Sequence, residues 1–252
     1  MINLKNQVAL ITGGSRGIGA AAALMFAKAG ANVAITYLHD KKSADSVVAK
    51  IKKSGRKAIA VKGNVAVFNE AQAMVDIVEK KFGRVDILLN NAGVWTEGSV
   101  EYLEEETWDE TINVNLKGTF NMCKAVVPVM KNNGYGRIIN IASTAGQRGE
   151  AHHSHYAASK GGVIAFTKSL GAELIRSGIW VNCVAPGWVI TDMTAPVFKD
   201  KNYREVLRFT IPRGKIATPD EIAGPILFLA SNLADNIVGE ILNVNGGSVL
   251  CG

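Results

Sequence analysis

Apolar runs of strand length recur along the chain, separated by longer stretches with helical spacing. "VALIT" (8–12), "NVAIT" (32–36), "KAIAV" (57–61), "VDILL" (85–89), "GRIINIA" (136–142), "IWVNCV" (179–184) and "EILNV" (240–244) predict seven strands. Several of these runs are continuous rather than alternating, as in strands covered on both faces. Amphipathic stretches such as 40–54, 69–82, 106–131 and 154–177 predict intervening helices. The alternation implies an α/β doubly wound Rossmann fold, with helices on both faces of a seven-stranded parallel sheet. No repeat, low-complexity tract or Pro/Ser-rich linker divides the chain, so residues 1–252 read as a single domain. Pro128 is placed to kink or finish its helix. Segment 188–217, weakly periodic and broken by turn-like residues, reads as a mobile substrate loop between the sixth and seventh strands.

Composition narrows the function classes. The 28 basic and 22 acidic residues give +6, but they are scattered and not gathered into an aromatic-interleaved stripe, which argues against a nucleic-acid platform. Cys123, Cys183 and Cys251 form neither a disulfide framework nor a zinc knuckle, which predicts reduced thiols in a cytoplasm. No apolar run approaches the ~20 residues of a membrane span. A strand begins too early for a signal peptide, so neither export nor a membrane is expected.

Chemistry enters at "TGGSRGIG" (12–19), between the first strand and the first helix. Gly13, Gly17 and Gly19, with Ser15, Arg16 and Ile18, would let backbone approach a pyrophosphate at a helix N-terminus, and Gly30 closes that helix. This context predicts a dinucleotide site. "YAASK" (156–160) sets Tyr156 and Lys160 one helical turn apart on one face. Taken alone, the pair is also compatible with a solvated helix.

Further short runs complete a pattern: "NNAG" (90–93), "VNLKG" (114–118), Ser143 after "INIA", "VNCVAPG" (181–187) and "VNGG" (244–247). Together with the two motifs above, they make the chain resemble the short-chain dehydrogenase/reductases over essentially its whole length, in particular the branch that includes 3-oxoacyl-[acyl-carrier-protein] reductases. The resemblance implies catalytic Ser143, Tyr156, Lys160 and Asn115. In it Ser143 donates to a substrate carbonyl, Tyr156 transfers a proton, and Lys160 holds the nicotinamide ribose and lowers the phenol pKa from its usual ~10. Asn115 holds a water linking the lysine to solvent. The resemblance further implies cofactor contacts from Asn91, Ala92 and Gly93, from Pro186 and Gly187, and from Val189 and Thr191 at the carboxamide. Asn64-Val65 departs from the family's acidic residue before valine, leaving an amide to meet the adenine.

The cofactor expected is NADP(H), with NAD(H) as second choice. Tyr37 stands where an NAD-selective carboxylate would, and Asp40 reads as a helix N-cap. Arg16, with His39, Lys41 and Lys42 after the strand, offers cations to a 2′-phosphate. His152, His153 and His155, with Gln147 and Arg148, read as lining the substrate mouth or as a solvated loop, with no metal expected. Trp95, Trp188, Met193 and Phe198 are candidates for an apolar wall, or for core packing. Glu104, Glu105 and Glu106 suit a helix start.

The expected substrate is a small carbonyl compound or secondary alcohol, foremost a 3-oxoacyl thioester carried on acyl-carrier protein. The alternatives are a dehydrogenase of a cyclic alcohol, steroid or sugar, and a catalytically silent cofactor-binding regulator. The paired long helices 106–131 and 154–177 resemble a family interface and predict a homotetramer.

Overall fold

The structure is a computed structural model and describes residues 2–250; Cys251 lies outside the described residues. Its seven strands are β1 (Val8–Ile11), β2 (Asn32–Tyr37), β3 (Ala58–Lys62), β4 (Ile87–Asn90), β5 (Gly136–Ile141), β6 (Ile179–Pro186) and β7 (Ile241–Val244). They form one sheet in the order β3-β2-β1-β4-β5-β6-β7, with every pairing parallel. β1, β4 and β5 are buried at every position, which explains their continuous apolar runs. Strand order reverses at β1, between β2 and β4, and opens a crevice beyond the carboxyl ends of those strands.

Helices α1 (Gly17–Lys28), α2 (Lys41–Lys53), α3 (Phe68–Phe82), α4 (Glu105–Ile112), α5 (Gly118–Asn133), α6 (Ala145–Arg148), α7 (Ser154–Leu174), α8 (Ala195–Phe198), α9 (Lys201–Thr210) and α10 (Pro219–Leu229) connect them. One core, around Phe26, Ile35, Ile51 and Ile226, joins α1, α2 and α10 to one sheet face. A second, around Leu10, Met74, Met122 and Leu88, packs α3 and α5 on the other. No helix among the described residues is long and apolar enough to cross a membrane.

Three local expectations are corrected. The stretch 106–131 is not one regular helix: a π-turn, Asn113–Lys117, separates α4 from α5 and turns Asn115 fully inward. Pro128 does not finish α5, which continues to Asn133. Both Pro128 and Lys124, whose carbonyl loses its i+4 partner, are exposed, so water can satisfy that carbonyl. Segment 188–217, read as a weakly periodic loop, carries short helices. It contains α8 and α9, and a Val189–Ala217 bridge closes its base. α9 is amphipathic around the buried Leu207, but it and α8 are short, at ten and four residues.

The end of the crevice near Ser143 and Tyr156 depends on a close crossing of α6 and α7. A Cβ at Gly146 would lie 2.5 Å from the Lys160 carbonyl carbon and 2.7 Å from the Gly161 nitrogen. Those atoms are helix backbone and cannot swing aside. Gly146→Ala should therefore force α6 off α7 and cost about 1–3 kcal/mol. Thermal unfolding reads the loss; an unchanged midpoint would contradict this packing.

Candidate active site

The glycine loop and the loop after β4 meet with almost no side chain between them. A Cβ on Gly19 would lie 2.5 Å from the Gly13 carbonyl oxygen and 2.6 Å from Asn91 Nδ2. Asn91 Nδ2 donates to the carbonyls of Thr12 (3.0 Å) and Gly13 (3.1 Å). Thr12 Oγ1 accepts from the backbone nitrogens of Asn91 (2.9 Å) and Ala92 (3.0 Å). The expected pyrophosphate cradle is thus present as bare backbone at the start of α1, which is the fit test a dinucleotide must pass. Thr12 emerges as a hub; its place before Gly13 was the only sequence signal.

Around this cradle a cleft of about 480 Å³ gathers residues expected from the sequence: Gly13, Ser15, Arg16, Gly17 and Ile18, Tyr37, Asn64 and Val65, Asn91, Ala92 and Gly93, Ser143, Tyr156, Lys160, Pro186, Gly187, Val189 and Thr191. Gly19 supports the cradle from beneath, and Asn115 lies behind the wall. The cleft also takes in His39, Asp40, Asp192, Met193 and Thr194, which had not been expected there apart from His39 beside the phosphate and Met193 in the wall.

Asp40 caps α2, its carboxylate accepting from Ser43 N at 2.9 Å. Lys41 bonds Asp45 at 2.6 Å, and neither Lys41 nor Lys42 lines the cleft. Arg16 is largely exposed and stands 4.0 Å from Asp192. Asn64 Oδ1 already accepts from Ala66 N at 2.9 Å, leaving one lone pair for an adenine amino group. Thr191 and Thr194 hydroxyls are 3.2 Å apart, and Thr194 Oγ1 donates to Val189 O at 2.6 Å.

At the catalytic end, Ser143 follows β5, and its Oγ accepts from Ala145 N at 3.1 Å. Tyr156 and Lys160 lie in the first two turns of α7. Burial pushes the Tyr156 phenol up to about 12, opposed by a hydrogen bond to the Ser143 side chain. Lys160 is buried, its Nζ donating to Ile141 O at 2.7 Å, and burial lowers its pKa to about 8. The phenol is therefore raised rather than depressed in this state: desolvation outweighs the Ser143 hydrogen bond, and the Lys160 ammonium stands 5.8 Å from the ring centroid. The linkage signs follow. Lys160 makes folding more favourable as pH rises from about 8 towards 10.5, and Tyr156 makes it less favourable from 10 towards about 12. At neutral pH the phenol keeps its proton.

Asn115 is committed to position. Its Oδ1 accepts from Val94 N (2.8 Å), and its Nδ2 donates to Val94 O (3.0 Å) and Ser159 Oγ (3.1 Å). His152 is exposed with a positive φ of 61°. His153 and His155 are buried, so they are not a solvated loop. His153 stacks on Trp95 at 4.5 Å, and His155 Nε2 meets Thr96 Oγ1 at 2.9 Å. Trp95, Trp188 and Phe198 do make a continuous aromatic wall, with successive ring centroids 5.9 Å apart. Met193 lies apart from it, on the cofactor cleft, and Arg148 is exposed.

Comparison with known proteins agrees with this geometry. Residues 13–248 match a short-chain dehydrogenase family described as enoyl-(acyl carrier protein) reductase. A 3-oxoacyl-[acyl-carrier-protein] reductase of Synechocystis sp. is 43% identical over 99% of this chain and 100% of its own. One from Staphylococcus epidermidis is 40% identical over 96% of this chain and 98% of its own. A candidate NAD(P)-dependent gluconate 5-dehydrogenase of Beutenbergia cavernae, solved with NADP at low occupancy, superposes with a TM-score of 0.93. It is 34% identical and covers 98% of both chains.

Proposed function

The chain belongs to the short-chain dehydrogenase/reductase family and is an NAD(P)-dependent oxidoreductase, and from that premise we propose that it reduces 3-oxoacyl thioesters with NADPH. The observation carrying the carbonyl reading is the convergence of the Ser143 hydroxyl with a Tyr156 phenol that stays protonated at neutral pH. These are two donors for one carbonyl oxygen, where an isolated carbon–carbon double bond would offer no acceptor to Ser143. The curated relatives named 3-oxoacyl reductases favour the thioester over the steroid and sugar alternatives. The intact set of Ser143, Tyr156, Lys160 and Asn115 argues against a silent regulator.

When bound, the cofactor supplies the hydride. Gly13, Gly17, Gly19 and Asn91 would hold its pyrophosphate end, and Val189 with Thr191 its carboxamide. Ser143 orients and polarises the substrate oxygen. Tyr156 donates the proton from its hydroxyl as negative charge develops there. Lys160, drawn from Ile141 O towards the ribose, places its cation where it favours the phenolate left behind. Asn115 fixes the Val94 loop against Ser159 of the Tyr156 helix, keeping the two walls of the site in register. In this reading residues 1–252 form one domain, and 188–217 covers the substrate.

Tyr156→Phe keeps the ring and removes the proton donor, so turnover should fall about 10²–10⁴-fold. Steady-state reduction of a 3-oxoacyl thioester measures it, and near-normal turnover would exclude this mechanism. Cofactor choice rests on Arg16 and on the absence of a carboxylate at Tyr37. Arg16→Ala should weaken NADPH binding roughly tenfold while leaving NADH within about twofold. Calorimetric titration of both cofactors decides it, equal losses pointing away from a phosphate contact. We further propose a two-fold symmetric homotetramer using the paired α5 and α7 helices. Light scattering should give four chains, and a fully active monomer would refute the assembly.

A further inference from the structure

A second cavity, of about 590 Å³, lies on the far side of Trp188 from the cofactor cleft. Trp188 itself is the boundary. Its chain neighbours Gly187 and Val189 line the cleft, while Trp188 lines the cavity and meets Trp95 through the aromatic wall. A second tie joins the two spaces. Gln147, one helical turn beyond Ser143, donates from Nε2 to Oδ1 of Asn243 on the cavity wall at 2.6 Å. Trp188 and the Gln147–Asn243 bond therefore tie the cavity to the segments that carry Gly187 and Ser143 in the cleft.

Its lining has two characters. Trp188, Ile211 and Val249 are apolar, whereas Arg213 and Lys215 bring two positive charges against the single carboxylate of Glu221. That carboxylate is fully used. One oxygen accepts from Thr218 N (2.8 Å) and Thr218 Oγ1 (3.2 Å), and the other takes Arg213 NH1 (2.8 Å) and Lys215 Nζ (3.1 Å). These contacts hold its pKa down at about 2, so it stays an anion at working pH. One positive charge remains in excess. Of the guanidinium's donors, only NH1 has a partner among the described residues, leaving Nε and the other amino group to face a ligand. The backbone beneath is fixed, since Arg213 N donates to Gly246 O at 3.0 Å.

We propose that this cavity is a subsite for an anionic group, carboxylate or phosphate, at the far end of the carbonyl substrate, with Arg213 as its ion-pairing residue. The inference rests on the carbonyl-reductase reading above. It narrows the substrate to an elongated molecule with an apolar middle, lying along Trp188, and a charged end. Arg213 and Lys215 are about half exposed, with side-chain exposures of 53% and 52%, so the expected selectivity is moderate.

The test uses the full chain with NADPH and 3-oxoacyl N-acetylcysteamine thioesters of one length, ending in methyl, carboxylate or phosphate. Wild type should favour one or both anionic ends by roughly threefold to tenfold in kcat/KM, through KM. Comparing the two anions identifies the group. Arg213→Met should abolish the preference, and Glu221, still held by Thr218 and Lys215, keeps the cap of α10 intact. A wild-type ratio near one, or a ratio unchanged in Arg213→Met, overturns the proposal. If none of the thioesters is reduced, the carbonyl-thioester reading fails, and the cavity is judged by direct binding of adipate and inorganic phosphate. Saturable quenching of tryptophan fluorescence that is lost in both Arg213→Met and Trp188→Phe supports the subsite; no saturable quenching overturns it.

Discussion

Backbone lying directly on backbone, with no room for a Cβ, is the constraint on which the site depends. It occurs at both ends of the crevice. At the cofactor end Gly19 sits against the Gly13 carbonyl and the Asn91 amide, and at the catalytic end Gly146 sits against the carbonyl of Lys160. The first contact joins segments that follow different strands, and the second folds the β5–β6 connection back on itself. The first brings the loops after β1 and β4 together at the point where strand order reverses. The second fixes the segment after β5 to the helix before β6. Ser143, just before α6, and Tyr156, in α7, line the same cleft across this close crossing.

Polar groups at this end of the sheet are expensive to bury, and three of them show how that cost is met or borne. Thr12 uses its hydroxyl as donor to Leu89 O and acceptor for two backbone nitrogens. Asn115 uses both amide hydrogens and one lone pair of its oxygen on Val94 and Ser159. Lys160 has one carbonyl partner and no carboxylate, so its cation is held at a cost that burial writes into its lowered pKa. A buried, weakly compensated cation beside a half-buried phenol is poor for stability and suited to proton transfer. The strain of the site is electrostatic, and it lies where the chemistry is.

The substrate side follows a different logic. Three separated segments meet there as rings: His153 before α7, Trp95 after β4, and Trp188 with Phe198 after β6. Their contacts make the cover over 188–217 part of the same packed unit as the loop that leads into Tyr156. Trp188, a member of this aromatic layer, also lines the Arg213 cavity, while its chain neighbours Gly187 and Val189 line the cofactor cleft.

The local pattern carried the sheet, the glycine loop, the Asp40 cap and the pairing of Tyr156 with Lys160, because each depends on residues within a few positions of one another. Continuous apolar runs identified buried parallel strands, and a spacing of four identified a shared helix face. What depends on distant residues was decided by tertiary structure alone. Burial reversed the expected shift of the Tyr156 phenol, since desolvation is set by everything packed around a group and not by its nearest charged neighbour. The π-turn at Asn115, the burial of His153 and His155, the Arg16–Asp192 approach and the cavity behind Trp188 likewise arise from contacts between segments far apart in sequence. A one-dimensional period records which face a residue occupies; the dielectric around it and the partner across from it exist only once the sheet has closed.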